Sequence, residues 1–248
     1  MRAVDTEGWQ LYNLVMAKSV AVAVRRPISQ SIEDYLKAIY ELSQGEDGRA
    51  STNDLAEHLA VAPASVTGML QKLAGTTPPL VEYQKHRGVT LTTQGQKIAL
   101  ETIRHHRLIE QFLHQMLGYE WDEVHEEADR LEHVISEQFE ERIAEKLGDP
   151  KHDPHGDPIP RMDLSLPNSK ELQLSGLRTG QRARVVRVRD EDSELLRHLE
   201  QMGIVPKAEL EIIHFSEFDG NLRLKIKGNK DEVLGPRITN QVYVEKLK

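Results

Sequence analysis

The chain of 248 residues contains no cysteine. It therefore cannot form disulfides or bind a metal ion through thiolate groups, and any metal site must use nitrogen and oxygen ligands. Long apolar runs are also lacking, since none approaches the roughly 20 residues that span a bilayer. No convincing small-residue cleavage site follows the apolar stretch near the start. We therefore expect a cytoplasmic protein with no signal peptide and no membrane partner.

An excess of basic residues is absent as well, because the formal net charge is −8 at pH 7. The acidic excess lies in the middle of the chain, where residues 98–164 carry 7 basic and 17 acidic side chains. Residues 1–97 carry 10 of each kind, and residues 165–248 carry 15 basic and 13 acidic side chains. Since the distribution of charge matters more than its sum, a DNA-binding face at either end is compatible with this composition.

The first third of the chain has the pattern of a small helical domain. Apolar residues after Ser31 recur at helical spacing up to a stop near Gly45, a short capped helix follows near residue 52, and a third helix starts at Pro63. Two short strands with a turn follow over 80–92. This is the element order of a winged helix-turn-helix, in which the third helix enters the major groove. Any three-helix domain shows a similar pattern, so the order alone leaves a purely structural domain equally open.

The predicted third helix and the hairpin tip carry the side chains that would meet DNA. Small or polar groups on the helix would reach base edges, whereas the basic groups of the tip would meet phosphate or a minor groove. The alternative is that these charges are only solvated. The candidate DNA-binding residues are Ala64, Ser65, Thr67, Gly68, Gln71, Lys72, Lys85 and Arg87.

Two long helices are predicted next, from Thr93 to Leu117 and from about Glu123 to Leu147, each followed by a glycine. Six imidazole and carboxylate groups on them follow helical spacing, and residues at i and i+4 share one face of a helix. Chance spacing in an acidic segment is the alternative, but three of the 11 histidines would then fall in register with carboxylates by accident. The spacing favours two metal sites with nitrogen and oxygen ligands. The six residues are His106, Glu110, His125, Asp129, Glu132 and His133.

Motifs of common enzyme classes are missing from this region. The Glu-x-x-His spacing of di-iron carboxylate bundles does not occur on the two long helices, and the chain has no His-Glu-x-x-His motif and no phosphate-binding P-loop. No nucleophile stands beside a positioned base. These absences favour a protein that is not an enzyme.

The last third of the chain changes character after a proline-rich stretch. Five prolines between residues 149 and 170 exclude a regular element and indicate a linker. Short β-type runs punctuated by glycines follow, and only Ser193–Met202 has a helical pattern. A small barrel of the SH3 type is the natural interpretation.

Four stretches together resemble the diphtheria toxin repressor family of metal-dependent regulators, specifically its manganese-responsive branch. They are Glu33–Leu42, His106–Glu110, Val124–His133 and Pro154–Pro160. The resemblance implies a mainly α protein with a small β domain. Its expected parts are a flexible N-terminal tail (1–27), a winged helix-turn-helix DNA-binding domain (28–97), a helical metal-binding and dimerisation domain (98–148), a Pro-rich linker (149–170) and an SH3-like, FeoA-like barrel (171–248).

The resemblance also implies two sets of metal ligands. The primary set is Asp34, Asp129, Glu132 and His133, and the ancillary set is His106, Glu110 and His125. Family members can add ligands from the C-terminal domain, where this chain has Glu191, Asp192 and Glu194, but the favoured interpretation of these three residues is a solvated acidic loop.

The same resemblance bears on which metal is sensed. Iron-responsive members typically have methionine and cysteine where this chain has Asp34 and Asp129, and oxygen ligands in their place favour Mn²⁺. Members that bind a closely spaced metal pair use a second acidic residue where this chain has Lys37, so such a pair is not expected here.

The function predicted from the sequence is a homodimeric repressor that binds double-stranded operator DNA of metal-ion homeostasis genes in response to Mn²⁺. An iron-responsive regulator of the same family, with Fe²⁺ as its ion, is the first alternative. A metal-independent winged-helix regulator and a helical metalloenzyme or metal-storage protein are the others.

Overall fold

The computed structural model describes residues 28–44, 48–167, 170–226 and 231–247. The predicted N-terminal tail lies outside these residues. The helices are α1 (Gln30–Leu42), α2 (Thr52–His58), α3 (Pro63–Ala74), α4 (Thr93–Phe112), α5 (Val124–Leu131), α6 (Glu137–Leu147), α7 (Ser193–Met202) and α8 (Pro236–Thr239). The strands are β1 (Val81–Gln84), β2 (Gly88–Leu91), β3 (Leu172–Gln173), β4 (Arg182–Val188), β5 (Glu209–Phe215), β6 (Leu222–Ile226), β7 (Asp231–Leu234) and β8 (Val242–Lys246).

Helices α1 to α3 and the antiparallel hairpin β1–β2 form the N-terminal domain. Local chemistry places the helix starts, since the Ser51 hydroxyl accepts a hydrogen bond from the Asp54 amide at 3.1 Å and Pro63 lies in the first turn of α3. The predicted winged helix-turn-helix is confirmed. Its core is formed by fully buried apolar residues that include Leu36, Ile39, Leu55, Val66, Leu70, Leu73 and Val89.

Helix α4 leaves this domain and continues without a break into the next. The Thr92 hydroxyl caps its start by accepting from the Gly95 amide at 3.2 Å. A Cβ atom at Gly95 would lie 2.0 Å from the Leu80 carbonyl oxygen, so only glycine allows α4 to pack this closely against the start of the hairpin. At its other end α4 passes into a π-helical turn, Leu113–Leu117.

The second long helix predicted over Glu123 to Leu147 is wrong as one element. The chain forms α5 and α6 instead, separated by residues 132–136. Ser136 has extended backbone angles (φ −90°, ψ 154°), and its hydroxyl accepts from the Phe139 amide at 3.3 Å. A serine that caps a new helix offers the backbone an alternative to continuing the old one. Glu132 still has helical backbone angles, but the chain leaves the course of α5 before α6 begins.

The C-terminal domain is a six-stranded antiparallel sheet in the order β3-β8-β4-β5-β6-β7. Alternating side chains of β4, β5, β6 and β8 are buried with one face of α7, in a core that includes Val185, Leu196, Leu199, Leu210, Leu224 and Val244. Two β-bulges, one in β4 and one in β5, bend the sheet. The predicted mainly α protein with a small SH3-like β domain is confirmed.

The described residues of the proline-rich segment, 149–167 and 170, form no helix or strand, yet the segment is packed against both neighbouring domains. Asp153 and His155 are buried, and the Val188 amide of β4 donates to the His155 carbonyl at 3.0 Å. Gly156 has a positive φ of 94°, and a Cβ atom there would lie 2.0 Å from the Val186 carbonyl oxygen. The segment is therefore a structural joint and not a free spacer. None of the helices in the described ranges has the length and apolar character needed to cross a membrane.

Candidate metal centre

Three predicted primary-site residues converge where α1 meets the turn after α5. The His133 Nε2 atom lies 2.8 Å from Asp34 Oδ1 and 3.2 Å from Glu132 Oε1. The other ring nitrogen, Nδ1, donates to the Glu33 carboxylate at 2.6 Å. In the neutral ring this bond leaves a lone pair on Nε2 that faces Asp34 and Glu132. A carboxylate that orients a histidine in this way is typical of metal sites.

Asp129, the fourth predicted primary ligand, lies apart from Asp34 and His133. It is half exposed on α5, and its Oδ1 atom is 3.2 Å from His106 Nδ1. Glu132 connects the two groups, because its Oε1 faces His133 while its Oε2 lies 2.5 Å from His106 Nδ1. The structure therefore forms two three-residue groups that share Glu132: one with Asp34 and His133, the other with His106 and Asp129.

Lys37 lies inside the second of these groups. Its Nζ atom donates to Asp129 Oδ1 at 3.1 Å and to Glu132 Oε2 at 2.8 Å, and it lies 3.0 Å from His106 Nδ1. Burial lowers the pKa of Lys37, but the nearby carboxylates, Glu132 first among them, raise it by more, so the net shift is upward. The side chain is charged at neutral pH.

The predicted ancillary residues also converge. Glu110 is fully buried, and its Oε1 lies 3.0 Å from His106 Nε2 and 3.3 Å from His125 Nδ1. A further ligand comes from the C-terminal domain, because Asp190 Oδ2, in the loop after β4, lies 3.4 Å from His125 Nδ1. Together these four residues form a group with the spacing of a metal site.

Asp190 was not among the loop residues that the sequence indicated. Glu191, Asp192 and Glu194 are all exposed, and Asp192 caps α7 by accepting from the Glu194 amide at 3.0 Å. Their exposure agrees with the interpretation of a solvated acidic loop. The physical reason is that the helix cap turns them to solvent, while the residue one position earlier still points toward the helices.

Two more potential ligands come from the proline-rich segment. His155 Nδ1 lies 3.8 Å from Glu110 Oε1 and 3.7 Å from Asp190 Oδ2, and Asp153 belongs to the same buried group. The other ring nitrogen of His155 donates to the Trp121 carbonyl at 2.6 Å. The sequence contained a signal for them in the Pro154–Pro160 stretch, but the pattern of prolines led to its interpretation as a linker.

Buried polar atoms without a hydrogen-bond partner show whether a cation fits among Glu110, Asp153 and His155. Within the described part of the chain, Glu110 Oε2 and His155 Nδ1 are buried and have no hydrogen-bond partner, and Asp153 Oδ2, which also has none, lies 3.7 Å from Arg107 Nε. Burial, followed by the Glu110 charge, raises the pKa of Asp153 well above its usual value. Buried oxygen and nitrogen lone pairs that face one another are costly unless a proton or a cation lies among them. The residues fit a divalent ion.

The candidate DNA-binding residues all lie at the surface of the N-terminal domain. On α3 they occupy the face opposite the buried Val66, Leu70 and Leu73, and all are exposed except the half-buried Thr67. The Thr67 hydroxyl donates to the Pro63 carbonyl at 3.1 Å. Lys85 and Arg87 are exposed at the hairpin tip. The exposed members on α3 are Ala64, Ser65, Gly68, Gln71 and Lys72.

Large apolar side chains are exposed on the helical domain, away from the metal ligands. A groove between α4 and α6 is lined by Phe112, Phe139 and Ile143 together with the charged Arg142, Glu145 and Lys146, and Phe139 is 49% exposed. Exposed apolar surface of this kind marks an interaction site. The predicted homodimer requires an apolar surface that its two protomers can bury against each other.

A winged helix-turn-helix whose first helix reaches a cluster of nitrogen and oxygen ligands on a dimerising helical domain defines a metal-dependent DNA-binding regulator. Three family models match successive parts of the chain. They describe the N-terminal DNA binding domain of the iron dependent repressors (residues 27–89), the metal binding and dimerisation domain of the same repressors (92–161) and the FeoA domain (172–246).

Individual relatives agree with these matches. The iron-dependent repressor IdeR of Mycobacterium leprae is 32% identical over 228 residues, which are 87% of this chain and 96% of the relative. The regulator MntR of Bacillus subtilis is 39% identical over 115 residues, which are 46% of this chain and 78% of the relative. A solved manganese-dependent transcriptional repressor in complex with manganese is 37% identical with a TM-score of 0.79, and the match covers 87% of this chain and 100% of that one.

The chain belongs to the family of iron-dependent repressors, which includes the diphtheria toxin repressor. The predictions of a metal-dependent repressor, of operator DNA as partner and of a homodimer are confirmed by the family's domains. The relatives are repressors, so the interpretation as a regulator and not an enzyme is confirmed as well. Relatives named for iron and for manganese both occur, and the choice of ion is argued below.

Proposed function

We propose that this repressor responds to Mn²⁺ and acts in the cytoplasm, where operator DNA is found. The observation that carries the choice of ion is the chemistry of the ligands. Asp34 and Asp129 both supply oxygen, and the ligand groups around Glu132 and Glu110 consist of carboxylates and imidazoles. Carboxylate-rich sites suit Mn²⁺, whereas thiolate and thioether ligands suit softer ions. A structural relative that is a manganese-dependent repressor supports the same choice.

Fe²⁺ is the second candidate. The observation that favours it is the extent of the match to the iron-dependent repressor of Mycobacterium leprae, which includes the C-terminal domain. Imidazole and carboxylate groups also bind Fe²⁺, so the ligands favour Mn²⁺ by degree and do not reject Fe²⁺ outright.

The proposed primary site consists of Asp34, Glu132 and His133, with Asp129 at its edge. Asp34 belongs to the DNA-binding domain, whereas Glu132 and His133 belong to the helical domain. A bound cation would supply the positive charge that keeps these carboxylates together. Asp34 then anchors α1, and through it the recognition helix α3, to the dimer core. The two recognition helices of a dimer must lie about 34 Å apart to enter successive major grooves of DNA. Anchoring α1 to the dimer core fixes the distance between these two helices.

The proposed second site consists of Glu110, His125, Asp153, His155 and Asp190, with His106 at its edge. These residues come from α4, α5, the proline-rich segment and the loop after β4. Their convergence would join the SH3-like domain to the helical domain. An ion favours the DNA-competent arrangement only by its differential affinity for that arrangement, and a site built from two domains and the segment between them provides such a difference.

The experiment that tests the proposal is a DNA-binding titration with a series of metals. Fragments are first selected from a random-sequence library with the Mn²⁺-loaded protein, and their binding is then measured with Mn²⁺, Fe²⁺ under anaerobic conditions, Zn²⁺ or a chelator. We expect tight binding with Mn²⁺ and its loss on chelation. His133→Ala should abolish the metal response in a folded dimer, while His198→Ala, an exposed histidine on α7, should keep it.

Two results would contradict the proposal at different levels. Equal DNA affinity with and without chelator would indicate a metal-independent regulator. A response to Fe²⁺ at concentrations where Mn²⁺ has no effect would replace Mn²⁺ by Fe²⁺ and leave the regulator intact.

A further inference from the structure

Glu132 divides the metal cluster into two compartments. In the first, its Oε1 lies 3.2 Å from His133 Nε2, and the same nitrogen is 2.8 Å from Asp34 Oδ1. In the second, its Oε2 lies 2.5 Å from His106 Nδ1, and Asp129 Oδ1 is 3.2 Å from that nitrogen. Each compartment has three ligand atoms close enough to hold one ion. By geometry alone the cluster is built for two cations that share one carboxylate.

Helix α1 contributes a side chain of opposite charge to each of the two compartments. It offers the Asp34 carboxylate to the first and, one helical turn later, the Lys37 ammonium to the second. The Lys37 Nζ atom lies 2.8 to 3.1 Å from one atom of each of the three residues in the second compartment. The lysine side chain is only 12% exposed, so it does not simply extend to solvent.

We propose that the Lys37 ammonium is a resident cation that fills the second compartment, so that this cluster accepts a single divalent ion. The ammonium donates to the Asp129 and Glu132 carboxylates, which a second ion would need, and lies 3.0 Å from His106 Nδ1. It also adds a positive charge within bonding distance of that position, where partial burial weakens solvent screening. The first compartment remains open, as the proposed function requires, and the inference rests on that function.

Lys37 has a second role in the absence of any metal. The three residues that it contacts carry two carboxylates side by side, and Glu110 and Glu132 flank His106 on its two ring nitrogens. Removing the ammonium would take away one of the positive charges that offset this negative charge in a half-buried place, which destabilises the folded chain. Lys37 therefore holds Asp129 and Glu132 together without a metal ion.

The experiment counts Mn²⁺ ions per protomer in the full-length protein by equilibrium dialysis and records electron paramagnetic resonance spectra. Two Mn²⁺ ions about 4 Å apart, the separation usual in paired sites, interact magnetically and give a spectrum unlike that of isolated ions. The variants are Lys37→Glu, which adds a ligand, and Lys37→Met, which removes the charge at similar length. Lys97→Glu is the matched control, because Lys97 is an exposed lysine on α4.

We expect isolated Mn²⁺ spectra from the wild type and from Lys97→Glu. Lys37→Glu should bind one additional Mn²⁺ and show the spectrum of a coupled pair, and Lys37→Met should bind the additional ion more weakly because it adds no ligand. Ions held around Glu110 and His155 are common to all four proteins, so the difference between variants is informative. Without metal, Lys37→Met should melt at a lower temperature than the wild type.

A coupled pair in the wild type would overturn the inference, as would the same ion count in the wild type and both Lys37 variants. If Lys37→Glu fails to fold, the ion count and melting temperature of Lys37→Met decide. Failure of the proposed function looks different, because the wild type would then bind no Mn²⁺ or would bind it without any gain in DNA affinity.

Discussion

The Nδ1 atom of His155 lies 3.8 Å from Oε1 of Glu110, although one residue belongs to the proline-rich segment and the other to α4. Both side chains are fully buried. Because the Trp121 carbonyl accepts from the opposite ring nitrogen, the facing nitrogen of the neutral ring carries a lone pair. Through His155, the proline-rich segment between the helical domain and the SH3-like domain contributes to the metal centre.

Replacing His155 by alanine should lower the number of Mn²⁺ ions bound per protomer by one. The variant removes a nitrogen ligand from the proposed second site and leaves Asp34, Glu132 and His133 unchanged. Equilibrium dialysis followed by metal analysis measures the difference. His152→Ala is the matched control, since His152 is exposed in the same segment. An unchanged ion count in His155→Ala would remove His155 from the site.

Gly156→Ala should destabilise the protein far more than Gly148→Ala. Both glycines have positive φ, 94° and 73°, and alanine in that region costs about 1 to 2 kcal/mol. At Gly148 nothing lies within 4 Å of an added Cβ, whereas at Gly156 the Val186 carbonyl oxygen would be 2.0 Å away. Urea unfolding of the two variants separates the backbone cost from the clash. Equal losses of stability would mean that the segment moves away from β4 without penalty.

Arg87→Ala and Gln71→Ala should weaken DNA binding in different ways. Arg87 is exposed at the hairpin tip, where a phosphate contact is expected, so its loss should lower the slope of log affinity against log salt by about one. Gln71 is exposed on the outer face of α3 and should affect sequence preference instead. Binding to the selected operator and to single-base variants of it, at several salt concentrations, measures both. A change in preference with an unaltered salt slope for Arg87→Ala would contradict the placement of the wing.

Converting Asp34 to methionine and Asp129 to cysteine should shift metal activation toward Fe²⁺, Co²⁺ or Ni²⁺. The change replaces two oxygen ligands with softer sulfur ligands and keeps Glu132 and His133. The readout is metal-activated DNA binding, since a later metal can bind tightly in a geometry that misaligns the domains. The single variants separate the two positions. If the double variant still prefers Mn²⁺, these two positions do not determine the choice of ion.

The parts of the fold that depend on local chemistry were accessible from the sequence. Apolar spacing indicated α1, and the spacing of His106 and Glu110 placed both on one face of α4, where they lie 3.0 Å apart. The break after Leu131 was missed, because apolar residues continue at helical spacing across it and the cap at Ser136 is a single weak signal.

The metal ligands that tertiary packing brings together could not be predicted from local sequence patterns. Asp190, Asp153 and His155 approach α4 only because the sheet and the proline-rich segment pack against it, and no local spacing encodes that approach. Asp34 was identified through family resemblance and not through its position in a pattern. The separation of Asp129 from Asp34 follows from the course of the chain after α5, which spacing along a straight helix cannot represent.

Helix α4 connects the hairpin of the DNA-binding domain directly to the metal centre. Its 20 residues span about 30 Å at 1.5 Å per residue. At Gly95 the helix packs so closely against the start of the hairpin that no side chain fits between them. A tilt of about 6° at the ligand-bearing end moves the far end by about 3 Å, which is close to the rise of one base pair. A rotation of α4 about His106 and Glu110 would therefore be largest at the hairpin, where contact with DNA is expected.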